Sequence, residues 1–222
     1  SVNRLTGQER YIWDVIGLEP GQVEASNGIS VLAEHGIADA PSADLTIVVA
    51  SLDLEALNDR ALANYLRQIR QRRGMIGAIS NGSLILARAG LLDGRRATIH
   101  WEMQQRLGET FPRVDVSDSL FCWDGDILTS GGGNASMDMM LEFIARQDGH
   151  EVAIDVSEQF LHGPVRGAEE CQRQDVRWRY RTTDRRLETV IRVMETRIGN
   201  PVKVSKLAEI ADLSERQLER LF

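Results

Sequence analysis

Hydrophobic residues follow two periodicities in the N-terminal part of the chain. LTIVVAS at 45–51 and MIGAIS at 75–80 are short, continuous apolar runs, the pattern of strands buried on both faces. Residues 54–74 between them place apolar side chains at helical spacing, and helical spacing returns after Asn81-Gly82. This order of strand, helix, strand, glycine turn and helix predicts an open α/β sheet with strand 45–51 at its centre.

The same two periodicities continue towards the middle of the chain. They predict strands over 97–101, 120–123 and 126–131, and helices over 133–149 and 150–161. The last two strands are joined by Asp-Gly, a strong hairpin signal. We therefore expect an α/β domain over residues 1–162, with an open, mostly parallel sheet flanked by helices.

The apolar period is lost between residues 163 and 183, which we interpret as a linker, and it returns in a helix predicted over 184–198. The following stretch, VKVSKLAEIADLSERQLERLF, predicts two short helices joined by a turn. Inward-facing positions are expected at Leu207, Ala208, Ile210, Leu218 and Leu221. The pattern predicts an all-α helix-turn-helix segment over 184–222, and a plain helical hairpin with a polar outer face is the alternative.

Composition and charge narrow the class of protein. The chain has 222 residues, 42% of them hydrophobic and 27% charged, which is ordinary globular usage. Its net charge is −7, yet residues 175–222 carry 11 Lys or Arg against 8 Asp or Glu. Because the C-terminal segment is basic and the rest of the chain is acidic, we expect this segment to bind a polyanion.

The sequence gives no sign of a membrane segment, a cofactor or a metal site. No apolar stretch is long enough to span a membrane and no signal peptide opens the chain, so a cytoplasmic location is the default expectation. The two cysteines, Cys122 and Cys171, do not form a disulfide framework or a metal site. We expect no cofactor and no metal.

The second short helix of the C-terminal segment carries the candidate DNA-binding residues. Ser214 begins it and can form a capping box with Gln217, three residues later. In helix-turn-helix units the second helix lies in the major groove with its N-terminal residues at base edges. Arg suits guanine and Gln suits adenine, so Arg216, Gln217 and Arg220 are the candidate readers.

Two stretches resemble known families. VSKLAEIADLSERQLERLF resembles the first helix-turn-helix of AraC-type transcription regulators. GAISNGSLILARAGLLDGRRATIHW and DGDILTSGGGNASMDMMLEFIAR resemble the class I glutamine amidotransferase-like (PfpI-type) domain, of flavodoxin-like fold, found at the N-terminus of one AraC subfamily. The resemblance implies a small-metabolite sensor that dimerises, with an amino acid or a quaternary amine as effector. Because the first strand and helix and the second helix-turn-helix of that pattern are not found, we expect a fragment truncated at both ends.

The resemblance also identifies a candidate pocket. Catalytic members carry a cysteine on a tight strand-to-helix turn, where Ser80 stands in this sequence, and His100 matches a histidine near that turn. A serine needs a positioned general base, so Ser80 and His100 are the only candidate nucleophile and base. The alternative, which we favour, is that Ser80, Asn81 and Gly82 bind a ligand without catalysis, since Ser51-Leu52-Asp53 replaces the glycine-rich oxyanion loop. Asp53 can pair with a cationic ligand.

Aromatic residues and glycines near this turn are open to two interpretations. Trp101 and Trp123 can hold a cationic effector or can simply close the core or a dimer face. The glycines 131–133 resemble a loop that borders the pocket, but a lone glycine run is a weak signal. The ligand-binding candidates are Ser80, Asn81, Gly82, His100 and Trp101.

Three classes of function are consistent with these observations. The first is a ligand-sensing homodimeric regulator that binds DNA through its C-terminal segment. The second is a small-molecule hydrolase or amidase that uses Ser80 and His100, and the third is a pure dimerisation or interaction module. Only the first uses the arginines of the last helix, so we expect a regulator and not an enzyme.

Overall fold

The structure, a computed structural model, describes residues 1–51, 60–197 and 199–222. The chain divides into two compact units, Ser1–Gln172 and Arg173–Phe222. The division falls inside the segment 163–183 that the sequence predicts to be a linker. A short helix, Val176–Tyr180, also lies within that segment, so part of it is ordered as secondary structure.

The elements of the first unit are as follows. Its strands are β1 (Ile16–Gly17), β2 (Gly21–Glu24), β3 (Ser30–Ala33), β4 (His35–Gly36), β5 (Leu45–Ala50), β6 (Met75–Ser80), β7 (Arg96–Thr98), β8 (Asp115–Ser117), β9 (Phe121–Asp124) and β10 (Ile127–Ser130). Its helices are α1 (Val2–Thr6), α2 (Arg60–Gln71), α3 (Gly82–Arg88), α4 (Gln104–Thr110), α5 (Asn134–Asp148) and α6 (His150–Gln159), with a 3-10 turn at Trp101–Met103.

The main sheet has four strands in the order β5-β6-β10-β9. The first three strands are parallel, and β9 is antiparallel to β10 across the predicted Asp124-Gly125 hairpin. Helices α2 and α3 contact β6, whereas α5 contacts β9 and β10. The predicted fold class, a mixed α/β sheet flanked by helices, is confirmed.

Strand β6 shows why helices are needed on both faces of this sheet. Successive side chains of a strand point to opposite faces. Ile76 and Ala78 lie in the cluster formed with α2 and α3, while Met75 and Ile79 pack against the cluster of α5. Both faces of β6 are therefore apolar and covered, which explains the continuous hydrophobic run in the sequence.

The structure corrects two of the strand predictions. Strand β5 lies at the end of the strand order rather than at its centre, and its Val49 side chain is 71% exposed. An unbroken β-branched run therefore indicated a strand but not its place in the sheet. The strand predicted over 97–101 ends at Thr98 and pairs with β8 in a separate two-stranded sheet, which leaves the next residues free to form a turn.

The first 36 residues contain short elements that hydrophobic periodicity does not reveal. Strands β2 and β3 form an antiparallel hairpin, and β1 pairs with β4 in parallel over two residues. Each of these strands is too short for a period to be recognised. No helix in the described ranges is long and apolar enough to cross a membrane.

The second unit contains four helices: α7 (Val176–Tyr180), α8 (Arg185–Thr196), α9 (Val204–Ile210) and α10 (Glu215–Leu221). Its core consists of the buried side chains of Val190, Leu207, Ala208, Ala211 and Leu218. The predicted helix-turn-helix elements are therefore present at α9 and α10. The inward position expected for Ile210 is wrong, because its side chain is 40% exposed and the buried position belongs to Ala211, one residue further along the helix.

A buried carboxylate on α5 fixes the segment that follows α6. The Asp138 side chain is fully buried and lies 2.9 Å from His162 Nε2 and 2.6 Å from Arg166 Nη2. The backbone N–H of Arg166 also donates to Asp138 at 3.1 Å. Because a buried carboxylate is tolerated only when it is paired and hydrogen-bonded, this contact holds the start of the predicted linker on the first unit.

Asp138→Asn should lower the free energy of unfolding by about 2 kcal/mol, because an amide NH2 replaces a charged acceptor facing two donor side chains. Urea denaturation at neutral pH measures this change. Asp155 is an exposed carboxylate on α6 and provides the matched control, since Asp155→Asn should change stability by less than about 0.5 kcal/mol. Equal effects of the two variants would contradict the role assigned to Asp138.

Candidate functional site

The turn between β6 and α3 has an unusual backbone. Ser80 ends β6 with φ at +57°, in the left-handed region that residues other than glycine rarely adopt. Asn81 follows as the N-cap residue of α3, and its N–H donates to the Ala50 carbonyl at 3.0 Å. The sharp reversal sets Ser80 at the carboxyl end of the parallel strands. Strain of this kind persists only where the surrounding structure enforces it.

Two glycines enforce this turn by allowing close approach of the backbone. A Cβ on Gly82 would lie 2.3 Å from the carbonyl oxygen of Val48, so only glycine lets α3 begin this close to β5. A Cβ on Gly132 would lie 2.9 Å from Cβ of Ser80. The glycine loop after β10 therefore packs directly on the Ser80 side chain.

Hydrogen bonds bring the end of β7 to the same place. Ser83, in the first turn of α3, donates from Oγ to the Thr98 carbonyl at 2.6 Å. The Thr98 N–H donates to Thr129 Oγ1 of β10 at 2.9 Å. The carboxyl ends of β6, β7 and β10 thus meet beside the start of α3. Crevices at the carboxyl ends of strands are where open α/β sheets bind ligands.

His100 and Trp101 lie in the turn that follows β7, two and three residues beyond Thr98. His100 Nδ1 is 3.6 Å from Glu102 Oε2, and its ring lies 5.6 Å from the ring of Trp101, which is 40% exposed. Within the described ranges no hydrogen bond joins His100 to Ser80. A serine nucleophile needs such a bond to its base, so the structure does not assemble the predicted pair.

Asn81 contributes a hydrogen-bond acceptor that no described residue satisfies. Its side chain is only 6% exposed, and Nδ2 donates to the Ser51 carbonyl at 2.6 Å. Its Oδ1 has no hydrogen-bond partner among the residues that the structure describes. A buried carbonyl oxygen without a donor costs about 1–3 kcal/mol, which a ligand N–H or O–H can recover. Leu52 and Asp53, the predicted replacement of the oxyanion loop, lie outside the described residues.

Trp123 is occupied by its own structural contacts. Its ring stacks on Phe143 at 6.0 Å, and the Arg146 guanidinium lies 4.0 Å from the ring centroid. Its Nε1 donates to the Gly125 carbonyl at 2.8 Å. The face that an effector cation would need is therefore taken by an internal cation, and the core interpretation of this tryptophan is the better one.

Cys122 nearby is buried, and burial raises the pKa of its thiol.

The predicted DNA-binding residues of α10 separate into two pairs. Ser214 and Gln217 form the capping box, in which Gln217 Oε1 accepts from the Ser214 N–H at 2.9 Å. Their side chains thus stabilise the helix start. Base reading by Gln217 stays a prediction, and it would require the side chain to give up its capping hydrogen bond. Arg216 and Arg220 are exposed and form no ion pair within the described ranges. They are the side chains of this helix available to phosphates or bases.

Several arginines elsewhere in the second unit are held by acidic partners. Arg179 pairs with Glu195, and Arg177 and Arg192 both pair with Glu188. These contacts lower the pKa of both glutamates, chiefly through hydrogen bonds from the guanidinium groups. These arginines are therefore neutralised locally, whereas Arg216 and Arg220 lie on a helix that also carries Glu215 and Glu219 and has no net side-chain charge.

Two polar features away from the turn were not foreseen from the sequence. An open groove of about 630 Å³ runs along β8 and is lined by polar side chains including Arg96, Gln104 and Asp115. Asp14, Glu34 and His35 bring possible metal-ligand atoms within 4.8 Å of one another at the surface. Exposed acidic groups are common without a metal, and this cluster has no buried ligand.

The geometry of the turn agrees with the comparison to known proteins. The model of the DJ-1/PfpI family matches residues 2–146, which include the turn at Ser80 and the glycine loop at 131–133. The chain belongs to the DJ-1/PfpI family. The predicted PfpI-type resemblance is thereby confirmed, and the elbow at Ser80 is the turn on which it depended.

Relatives of this DJ-1/PfpI protein extend the match to its second unit. The HTH-type transcriptional regulator CdhR of Pseudomonas aeruginosa is 42% identical over 212 residues, which are 96% of this chain and 63% of CdhR. The HTH-type transcriptional regulator GlxA of Rhizobium meliloti is 36% identical over 225 residues, 100% of this chain and 69% of GlxA. The chain therefore spans about two thirds of these relatives, and its likeness to regulators of the AraC type is confirmed.

A solved structure supports the same assignment. The crystal structure of an AraC family transcriptional regulator from Pseudomonas putida is similar with a TM-score of 0.64 and 25% identity. The match covers 72% of this chain and 85% of that chain.

Gly82→Ala should destabilise the protein by at least about 2 kcal/mol, since its methyl group would meet backbone that cannot rotate away. Thermal and urea unfolding measure the loss. Gly163→Ala is the control, because a Cβ at Gly163 has no atom within 4 Å. If both substitutions were tolerated equally, the close packing of α3 on β5 would not be what holds the elbow.

Proposed function

We propose that the protein is a ligand-responsive transcription regulator of the cytoplasm that binds DNA as a homodimer. Its first unit binds a small metabolite at the crevice beside Ser80, and its second unit binds DNA through α10. The observation that carries this proposal is the presence, in one chain, of an elbow whose Ser80 has no hydrogen bond to His100 and a helix-turn-helix whose Arg216 and Arg220 form no ion pair within the described ranges. An amino acid or a quaternary amine is the proposed class of effector.

Side chains with complementary properties support the ligand site. Asn81 Oδ1, which has no donor among the described residues, offers an acceptor, and the Ser80 hydroxyl offers both a donor and an acceptor. Trp101 and His100 add an aromatic surface that is partly open to solvent, and aromatic faces attract ammonium groups. This mixture of a few polar groups and aromatic rings is typical of small-molecule sites.

A hydrolase or amidase that uses Ser80 is the second candidate. The strained elbow favours it, because the same geometry presents nucleophiles in catalytic members of the superfamily. The lack of a hydrogen bond between Ser80 and His100 opposes it. A pure dimerisation module, the third candidate, leaves the exposed Arg216 and Arg220 without a role.

The DNA-binding proposal rests on α10. Its start is fixed by the capping box, and its position is fixed by Leu218, which is buried against α9. Arg216 lies in the first turn, where the second helix of such units meets base edges. Homodimers place two such helices on half-sites of one operator.

Arg216→Ala in the full-length regulator should weaken specific operator binding by about 1–3 kcal/mol, the value of one good base contact. Binding to random DNA should change much less, and titration of both DNAs by fluorescence anisotropy separates the two effects. Arg197, an arginine that lies outside α10 and is also exposed, is the control position. An equal loss on both DNAs would show that Arg216 contacts phosphate and not bases.

Trp101→Ala should weaken effector binding at least about tenfold while operator binding without effector persists, because a ring near the crevice is lost and the core is not. The effector is first found by thermal shift across amino acids and methylated amines, and its stabilisation follows RT ln(1 + [L]/Kd). Trp178→Ala provides the control, since Trp178 is 80% exposed on α7. Unchanged affinity in the Trp101 variant would place the effector elsewhere.

A further inference from the structure

The carboxamide of Gln172 is inserted beside the elbow. Its Nε2 lies 2.8 Å from Thr98 Oγ1, 2.8 Å from the Ile99 carbonyl oxygen and 2.9 Å from the Ser119 carbonyl oxygen. These three partner residues are buried, with exposures of 0 to 3%. One nitrogen thus sits among three convergent oxygen atoms at the carboxyl end of β7.

The hydrogen-bonding chemistry of the three oxygen atoms determines which group can occupy the space between them. The two carbonyl oxygens can only accept, and the Thr98 hydroxyl hydrogen is directed to the carbonyls of Ser117 or Ser119. All three atoms therefore accept from the group that occupies the centre. A carboxamide nitrogen has two hydrogens for these three acceptors, whereas a primary ammonium has three hydrogens and a positive charge that carbonyl dipoles favour.

The glycine loop leaves room for this group. A Cβ on Gly131 would lie 2.4 to 2.6 Å from the carboxamide atoms of Gln172, so a side chain at this position excludes the insertion. The adjacent Gly132 packs on Ser80. Adjacent glycines of one loop therefore contact the carboxamide in the oxygen cage and the side chain at the elbow.

Gln172 also ends a segment that is held mainly by polar contacts. We call residues 162–172 the strap. Its start is bound by Asp138, and its end pairs with residues 118–120 through Leu120 N to Glu170 O at 2.7 Å and Gln172 N to Asp118 O at 3.0 Å. Its Val165 side chain is 45% exposed, and its Ala168 is only partly buried against the cluster of α5. With so little apolar burial, the end of the strap can leave the crevice without disrupting the core.

We propose that the oxygen cage formed by Thr98, Ile99 and Ser119 is a binding subsite for a primary ammonium group, and that Gln172 occupies it when no ligand is bound. A ligand ammonium displaces the carboxamide and releases the end of the strap. The chain continues from Gln172 directly into the second unit. Release of Gln172 therefore frees the residues that connect the first unit to the DNA-binding helices. This inference rests on the proposed function of the crevice as the effector site.

The first experiment tests whether Gln172 holds the strap. In Gln172→Ala, loss of the carboxamide hydrogen bonds should speed amide hydrogen exchange over residues 167–172 by about tenfold, while exchange in β6 stays unchanged. Gln174→Ala is the matched control, because the Gln174 side chain is exposed. Exchange over 167–172 that is unchanged in Gln172→Ala, or equally fast in both variants, would overturn the proposal.

The second experiment tests the chemical class with methylammonium and tetramethylammonium chloride at equal ionic strength. In Gln172→Ala the cage is vacated, so methylammonium should raise the thermal midpoint more than it does in the wild-type chain. Tetramethylammonium has the same charge and no N–H, and it should have no such effect. Adding Gly131→Ala to Gln172→Ala places a methyl group in the cage and should abolish the response.

Equal responses to the two cations, equal responses in the variant and the wild type, or no response to methylammonium would each overturn the ammonium subsite. Operator binding is not measured in either experiment. Failure of the subsite therefore leaves the DNA-binding proposal standing. Loss of operator recognition in the full-length regulator would overturn the proposed function without altering exchange in the strap.

Discussion

The left-handed backbone of Ser80 is the constraint on which the rest of the site depends. A residue with a side chain in this conformation costs on the order of 1 kcal/mol or more and persists only when its surroundings require it. The surroundings are the contact of Gly82 with the Val48 carbonyl and the packing of Gly132 on Ser80. Because of them, β6 reverses sharply into α3, and hydrogen bonds of Thr98 then hold the ends of β7 and β10 beside the start of α3. The crevice is a consequence of this backbone and not of any reactive side chain.

The sequence was sufficient to predict features that depend on local patterns. The strand at 75–80, the hairpin at Asp124-Gly125 and the capping box of Ser214 each follow from residues close together in the chain. The place of β5 in the sheet, the partners of Trp123 and the insertion of Gln172 depend on residues far apart in sequence. Gln172 is separated from Thr98 by 74 residues, so no periodicity or spacing could have indicated their contact.

The charges of the second unit also depend on contacts that the sequence alone does not reveal. Counting residues predicted a basic segment, yet most of its arginines on α7 and α8 are neutralised by partners such as Glu188 and Glu195. Only the structure shows which arginines remain available. Two of the exposed arginines that form no ion pair within the described ranges, Arg216 and Arg220, lie on α10 next to its capped start. The turn at Ser80 and the exposed helix α10 lie in separate units, which are joined through Gln172 and Arg173.

The central claim is that the elbow at Ser80 persists as a binding geometry without nucleophilic chemistry. The most direct test is intact-mass spectrometry of the chain after incubation with a fluorophosphonate, which labels activated serines, with Ser80→Ala treated in parallel. Our account predicts that the mass of the wild-type chain stays unchanged, as does the mass of the Ser80→Ala variant. A stoichiometric adduct located on Ser80, absent from Ser80→Ala, would contradict it and favour the hydrolase.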